Sequence, residues 1–172
     1  MPSPSSLANS VFKLSLFNIP KEIVQTLGRF RYRFSYGQNM IEHVTEVVKI
    51  GASIASELKA DVELVKMGCL FHDIGKVIEK EGSHVDIGVE YLRKFKINEK
   101  IINCVAEHHE DRPFSSIEST IVALADHVSG ARPGSRTEDF ESYVKRMRNL
   151  EEAATSFDGV DHAFALSAGR EI

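Results

Sequence analysis

The chain has 172 residues, of which 42% are hydrophobic and 27% charged, so it is long enough for one globular domain with its own core. Its formal net charge of −4 excludes nucleic-acid binding through charge over the whole surface, although a local basic patch stays open. Two cysteines, Cys69 and Cys104, are too few for a disulfide framework and are expected in the core. No apolar run reaches the ~18 residues needed to cross a bilayer. A cytoplasmic protein without membrane contact is predicted.

The chain is predicted to be a single all-α domain of about six to eight helices. Residues 1–18 open rich in proline and serine and are expected to be a flexible lead-in, followed by one domain over 19–172. Apolar residues at three- and four-residue intervals predict helices over 39–58, 62–74, 84–95, 99–109, 119–131 and 138–157. The predicted helix caps are Asp61, Ser83 with Asp86, Asn98, and Ser115 with Glu118. The only strand-like alternation is a weak one over 162–168.

Three of these helices carry metal-type donors on their apolar faces. His43 lies on the apolar stripe of helix 39–58, and the pair His72-Asp73 ends an otherwise apolar run. Asp126 sits among Ile, Val, Leu and Ala, where an acid is rarely buried unless it is paired or binds a metal. Taken singly, each could be an ordinary core or surface residue. Together they predict one shared metal site.

A second group of donors follows along the chain. His84 lies in the first turn of its helix, and His108 and His109 close the next one. These residues could bind a second ion, with Asp73 bridging two metals through its two oxygens. Each also has an ordinary interpretation, because histidines near helix ends are commonly solvated.

The donor types indicate which ions to expect. Imidazole and carboxylate together suit one or two first-row divalent ions, namely Mn, Fe, Co, Zn or Ni, whereas an all-carboxylate set would have suggested Mg or Ca. Two histidines and two aspartates also leave coordination positions open for water and substrate, which is typical of a catalytic site.

Two basic stretches are candidates for substrate contact. Residues 29–34, RFRYRF, alternate arginine with aromatic rings, a pattern that suits stacking on single-stranded bases. An equally good interpretation is a turn with inward aromatics and solvated arginines. Arg132 and Arg136 follow Asp126 closely, and guanidinium groups suit bidentate phosphate binding.

The order His, His-Asp, His, His-His, Asp, with HDIGK at 72–76, resembles the HD superfamily of metal-dependent phosphohydrolases, whose fold is all-helical. Longer phrases resemble the HD domain of the bacterial ribonuclease Y family, which cleaves single-stranded RNA. These phrases span residues 27–48, 81–92, 131–160 and 164–172. That family carries a membrane helix, a coiled coil and an RNA-binding KH domain before the HD domain. None is in this sequence, so we expect either a piece of a longer protein or a free-standing relative with a natural start.

The resemblance implies roles for individual residues. The first metal would be held by His43, His72, Asp73 and Asp126, and the second by Asp73, His84 and His108. His109 would be a further ligand or face the substrate. Lys76 would contact the phosphate or the metal-bound water, where a fixed cation stabilises developing charge.

The sequence therefore predicts a hydrolase that cleaves a phosphoester, in RNA or a nucleotide, by means of a metal-bound hydroxide. Single-stranded RNA is the first substrate choice. One alternative is a nucleotidase or cyclic-nucleotide phosphodiesterase acting on a small molecule. Two others are a di-iron oxygenase and a non-catalytic metal-binding module that forms a homodimer through helix 138–157.

Overall fold

Seven α-helices form most of the part of the chain that the computed structural model describes, which is residues 19–35, 38–131 and 140–165. They are α1 (Lys21–Gly28), α2 (Met40–Glu57), α3 (Val62–Phe71), α4 (His84–Lys94), α5 (Glu99–Glu107), α6 (Ile117–Ala131) and α7 (Phe140–Thr155). The all-α prediction is confirmed. The predicted lead-in, residues 1–18, lies outside the described residues, as do residues 166–168 of the weak alternation.

Short elements connect the helices at two places. A 3₁₀ turn (Arg29–Tyr32) follows α1 and leads into a two-residue antiparallel pair, β1 (Phe34–Ser35) and β2 (Gln38–Asn39), which the sequence did not predict. A second 3₁₀ turn (Ile74–Val77) joins α3 to the segment before α4. Within the described ranges, no helix combines the length and the apolar character that a membrane span requires.

The core lies where α2, α3, α5 and α6 meet. Helix α2 packs against α3 and α6, and α5 packs against α3, α4 and α6. Among the described residues, the buried hydrophobic side chains are aliphatic or methionine apart from Phe30, Phe71 and the two cysteines, both of which are fully buried as predicted. Burial raises the pKa of the Cys104 thiol to about 12, and that of Cys69 is raised as well, so both thiols stay protonated at neutral pH.

The helix starts were largely predictable because capping is local. Asp61, Ser83 and Asn98 each accept a hydrogen bond from a backbone N–H in the first turn of α3, α4 and α5, as predicted. Asn39 does the same for α2 by accepting from the Ile41 N–H. Asp86 is predicted to form a capping box with Ser83, but its side chain pairs with Arg112 at 3.0 Å.

The capping box predicted for α6 is wrong by one residue. The reciprocal pair is Ser116 and Ser119, whose backbone N–H groups donate to one another's hydroxyls at 3.3 and 3.2 Å. Glu118 instead accepts from the Asp61 N–H, and Ser115 donates to Glu107 through its N–H and its hydroxyl. Ser115 and Ser116 are adjacent, and both members of the predicted box, Ser115 and Glu118, have other partners in the fold.

The predicted end of α3 is also wrong, because the helix stops at Phe71 rather than Ile74. The chain turns at His72-Asp73 into the 3₁₀ turn, which packs against α4. Gly75 permits this packing: a Cβ built at Gly75 would lie 1.9 Å from the carbonyl oxygen of His84. The close approach brings Asp73 and His84 to the same place.

Replacing Gly75 by alanine tests this contact. We expect Gly75→Ala to lower the free energy of unfolding by at least about 2 kcal/mol, because backbone must shift to make room for the methyl group. The matched control is Gly28→Ala at the end of α1, where an added Cβ meets nothing within 4 Å. That variant should be unchanged or up to about 1 kcal/mol more stable. Urea unfolding checks both, and equal stability of Gly75→Ala and the wild type would contradict the packing described.

Candidate metal centre

Asp73 lies at the centre of the site and faces two groups of imidazoles with its two oxygens. Its side chain is buried, with 1% of the residue exposed. Oδ2 is 3.3 Å from His72 Nε2 and 3.8 Å from His43 Nε2. Oδ1 is 3.3 Å from His84 Nε2 and 3.8 Å from His108 Nε2. One carboxylate therefore joins both of the predicted donor groups.

The first donor group brings together α2, the end of α3, and α6. His43 Nε2 lies 3.3 Å from His72 Nε2 and 3.2 Å from Asp126 Oδ1, and His72 Nε2 lies 3.8 Å from the same Asp126 oxygen. With Asp73, these three buried residues form the set that the resemblance assigned to one metal.

The second donor group brings together Asp73, the start of α4 and the end of α5. The donor atoms of Asp73, His84, His108 and His109 all lie within 4.8 Å of one another. His84 Nε2 and His109 Nε2 are 3.1 Å apart. His108 is fully buried, whereas His84 and His109 are half-buried. The site is therefore closed around His108 and reaches solvent past the other two imidazoles.

Backbone carbonyls fix the orientation of two of the imidazoles. The Nδ1–H of His72 donates to the Cys69 carbonyl, and that of His108 to the Val105 carbonyl, each at 2.7 Å. A carbonyl oxygen can only accept, so the proton must sit on Nδ1. The Nε2 lone pair of each ring is left pointing into the site, as a metal ligand requires.

A side-chain relay fixes His43 in the same way. The Ser129 hydroxyl donates to Glu46 Oε2 at 2.8 Å and accepts from His43 Nδ1 at 3.2 Å. Sequence reasoning missed both residues, although each lies three positions beyond a predicted ligand, one turn along the same helix. Glu107, Glu110 and Asp111 also lie close to His108 and His109 in the sequence. Glu107 contacts Ser115, and Glu110 lies 3.7 Å from His127.

The residues present fit one or two cations. Among the described residues, two buried side-chain polar atoms have no hydrogen-bond partner, namely Asp73 Oδ1 and His108 Nε2. They lie 3.8 Å apart. Leaving such atoms unsatisfied is unfavourable in a folded protein, and a cation between them would satisfy both. Imidazole and carboxylate donors match first-row transition ions.

Burial and neighbouring charges set the protonation of the donors. Burial alone would raise the pKa of Asp73, but His72, Lys76 and His108 hold it well below its usual value. Burial lowers the pKa of His108 to about 3, with help from the charges of His72 and His109. The pKa of His84 is also lowered, first by burial. An ionised carboxylate between neutral imidazoles is the state that binds a metal ion.

The pKa values of His72 and Asp126 are also shifted by burial and by neighbouring charges. Burial works to lower the pKa of His72, yet the charge and the hydrogen bond of Asp73, together with Asp126, raise it overall. The pKa of Asp126 is lowered despite burial, chiefly by its hydrogen bond with His43. Asp73 and Asp126 therefore favour the protonated form of His72, and a metal ion competes with that proton for Nε2.

Of the four residues predicted to act on substrate, two lie in the site and two lie outside the described residues. Lys76 Nζ lies 2.7 Å from Asp73 Oδ2 and is half-buried, so a cation stands directly beside the donor groups. His109 lies within the second donor group. Arg132 and Arg136 lie outside the described residues.

The HD domain family matches this chain over residues 40–131, a range that includes every donor described above. Similar curated proteins are named Ribonuclease Y, from Acetivibrio thermocellus, Listeria welshimeri and Fusobacterium nucleatum, each 47% identical over 165 or 166 residues. The matches cover 95% of this chain but 32% of each relative, so the chain spans about a third of their length.

A solved structure described as a predicted HD superfamily hydrolase, from an uncultured Thermotogales bacterium, has the same fold. It aligns with a TM-score of 0.55 at 19% identity, over 83% of this chain and 82% of that one. The all-helical fold expected for the HD superfamily is therefore the fold of this chain. The chain belongs to the HD domain family, which confirms the resemblance seen in the sequence.

Removing the Ser129 hydroxyl tests the relay to His43. We expect Ser129→Ala to weaken Mn²⁺ or Zn²⁺ binding about 10- to 100-fold, because the His43 ring loses the partner that holds its Nε2 toward the site. Isothermal titration calorimetry measures the affinity. The control is Ser53→Ala on the exposed face of α2, where the hydroxyl donates to the Lys49 carbonyl at 3.0 Å. Equal affinities of Ser129→Ala and the wild type would show that the relay does not position a ligand.

Proposed function

We propose that this domain hydrolyses a phosphodiester bond in single-stranded RNA, in the manner of ribonuclease Y. The observation that carries the proposal is the sharing of Asp73, one oxygen of which faces His43 and His72 while the other faces His84 and His108. Paired metal sites with a shared carboxylate suit in-line displacement at phosphorus.

The ligand roles form part of the proposal. The first metal would be held by His43, His72, Asp73 and Asp126, and the second by Asp73, His84 and His108, with His109 as a further ligand or a substrate contact. Divalent ions held there would lower the pKa of a coordinated water and neutralise charge on the phosphate. The carboxylates of Asp73 and Asp126 supply the negative charge that keeps such ions in place.

Lys76 is the protein's own contribution to charge stabilisation. Its ammonium is held beside the donor groups by its contact with Asp73, and it sits on the short 3₁₀ turn that Gly75 fixes against α4. A preorganised cation in a partly water-excluded site stabilises negative charge that develops on phosphate oxygens more than it stabilises the ground state.

RNA is the favoured substrate for two reasons. The relatives named Ribonuclease Y share 47% of their aligned residues with this chain. The half-buried edge at His84 and His109 leaves the second donor group open to solvent, so a polymer could reach it. A small nucleotide is the competing substrate, and the experiment below separates the two. The cytoplasmic location and the homodimer stay predictions.

Substrate comparison with an Asp73 variant tests this function. With Mn²⁺ supplied, we expect the wild type to cleave single-stranded RNA, and Asp73→Ala to lose at least about a hundredfold in kcat because both donor groups lose their common member. Asp158→Asn, an exposed carboxylate after α7, is the control and should behave as the wild type. Turnover of nucleoside monophosphates alone would reject RNA as substrate. Full activity of Asp73→Ala would reject the hydrolytic site itself.

A separate test concerns Lys76. Lys76→Ala should retain its metal, as measured by elemental analysis, while its kcat falls about 10²- to 10³-fold. Lys76→Arg should recover part of the loss because it restores the charge. The matched control is Lys66→Ala, whose ammonium pairs with Glu63 at 2.8 Å on the outside of α3. A metal-loaded Lys76→Ala enzyme with normal kcat would remove Lys76 from the mechanism.

A further inference from the structure

The segment Arg29–Phe34, called the RFRYRF segment below, exposes two of its three aromatic rings. Phe30 is 1% exposed and packs into the core, whereas Tyr32 is 80% and Phe34 61% exposed. The interpretation with all aromatics turned inward is therefore wrong for two rings. Exposing two neighbouring large rings is unfavourable in water, and such exposure commonly marks a binding surface.

The segment is also strongly basic. It holds three arginines and no acid in six residues, within a chain whose formal net charge is −4. The guanidinium carbon of Arg31 lies 5.7 Å from the centroid of the Tyr32 ring, close enough for a cation–π contact. Arg33 is exposed and extended, with φ −108° and ψ 134°, which separates the α-carbons of Tyr32 and Phe34 by about 7 Å.

The backbone of the segment is held in place from both sides. Asn39, which caps α2, donates through Nδ2 to the Arg31 carbonyl at 2.9 Å, and the Met40 N–H donates to the Arg33 carbonyl at 3.0 Å. The exposed rings are therefore presented by an ordered backbone, which reduces the entropy lost when a ligand binds.

The same contacts tie the segment to the metal centre. Met40 lies one helical turn before the donor His43 on α2. On the other side, Arg29 Nη1 donates to the carbonyl of Val77 at 3.4 Å, and Val77 directly follows Lys76 in the 3₁₀ turn. The segment thus contacts two of the three chain segments that carry the first donor group, namely α2 with His43 and the turn that follows His72 and Asp73.

We propose that the RFRYRF segment is the surface on which single-stranded RNA approaches the metal centre, an inference that rests on the proposed function for its substrate class. Two successive bases stack on Tyr32 and Phe34, and Arg31 and Arg33 contact the flanking phosphates. Every base has a π-face, so such stacking binds RNA with little sequence preference. Guanidinium groups supply the complementary charge.

A second copy of this chain is the competing occupant, and the composition of the segment disfavours it. Exposed aliphatic side chains, which suit contact between protein surfaces, lie instead on α6 at Ile117, Leu124 and Val128. The RFRYRF segment has no aliphatic residue, and each exposed ring directly follows an arginine in the sequence. That combination matches bases and phosphates.

Binding is tested with the full chain, a fluorescent oligouridylate of about 12 nucleotides and EDTA to prevent cleavage, by fluorescence anisotropy. The double variant Tyr32→Ala/Phe34→Ala should raise Kd at least about tenfold, since base–aromatic stacking is lost at two positions. Tyr32→Trp keeps a stacking ring and should bind as the wild type does. Phe157→Ala is the matched control, an aromatic that is 70% exposed after α7.

The contribution of the arginines is measured separately, from the salt dependence of RNA binding. Arg33→Gln should reduce the slope of log K against log salt by about 0.7, the value for one phosphate contact on a single strand. An unchanged slope would remove Arg33 from the proposed surface.

The outcomes separate this inference from the proposed function. If the wild type cleaves RNA and the double variant binds it equally well, the inference fails while the proposed function stands. If the rings bind RNA but the metal-loaded wild type cleaves none, the inference stands and the proposed function fails. A wild type that binds no oligouridylate overturns the inference. So does a double variant altered only in self-association, measured by analytical ultracentrifugation.

Discussion

The contact between one buried carboxylate and the imidazoles on both sides of it is the constraint on which the rest of the structure depends. Removing Asp73 from water is unfavourable unless positive charge or hydrogen bonds replace its hydration. His72 and Lys76 replace part of that hydration at one oxygen, Oδ2. The other oxygen has no hydrogen-bond partner, which leaves it for a cation. The helices α2, α3, α4, α5 and α6 must all be placed correctly for this arrangement to exist.

Several apparently separate features serve that one carboxylate. Helix α3 ends early, at Phe71, so the chain turns at His72 and Asp73. Their side chains lie in the buried interior between the helices. Gly75 lets the following turn touch the start of α4, which brings His84 to the free oxygen. Backbone carbonyls and the pair Ser129 and Glu46 then fix the imidazole tautomers. Each is a structural requirement of a metal site more than a source of stability, because apolar residues would pack such a core more favourably.

The sequence predicted what depends on short range and periodicity. Helix caps such as Asp61 and Asn98 act within three residues, and the faces carrying His43 and Asp126 follow from the helical repeat. It failed where distant parts of the chain decide the outcome. Helix α3 ends at Phe71, before the turn in which Gly75 lies close to the His84 carbonyl, and the pair Glu46 and Ser129 is separated by 83 positions. The alternation of arginines and aromatic residues at 29–34 likewise did not predict which rings are buried, because burial depends on the residues that pack against this segment.

Anomalous X-ray diffraction from crystals of the full chain grown with Mn²⁺ or Zn²⁺ tests the central claim most directly. The account predicts at least one ion within about 2.0–2.3 Å of an Asp73 oxygen, with imidazole Nε2 atoms of His43 and His72, or of His84 and His108, completing its coordination. Crystals saturated with metal that show no anomalous peak near Asp73, with the imidazoles where they stand now, would contradict it.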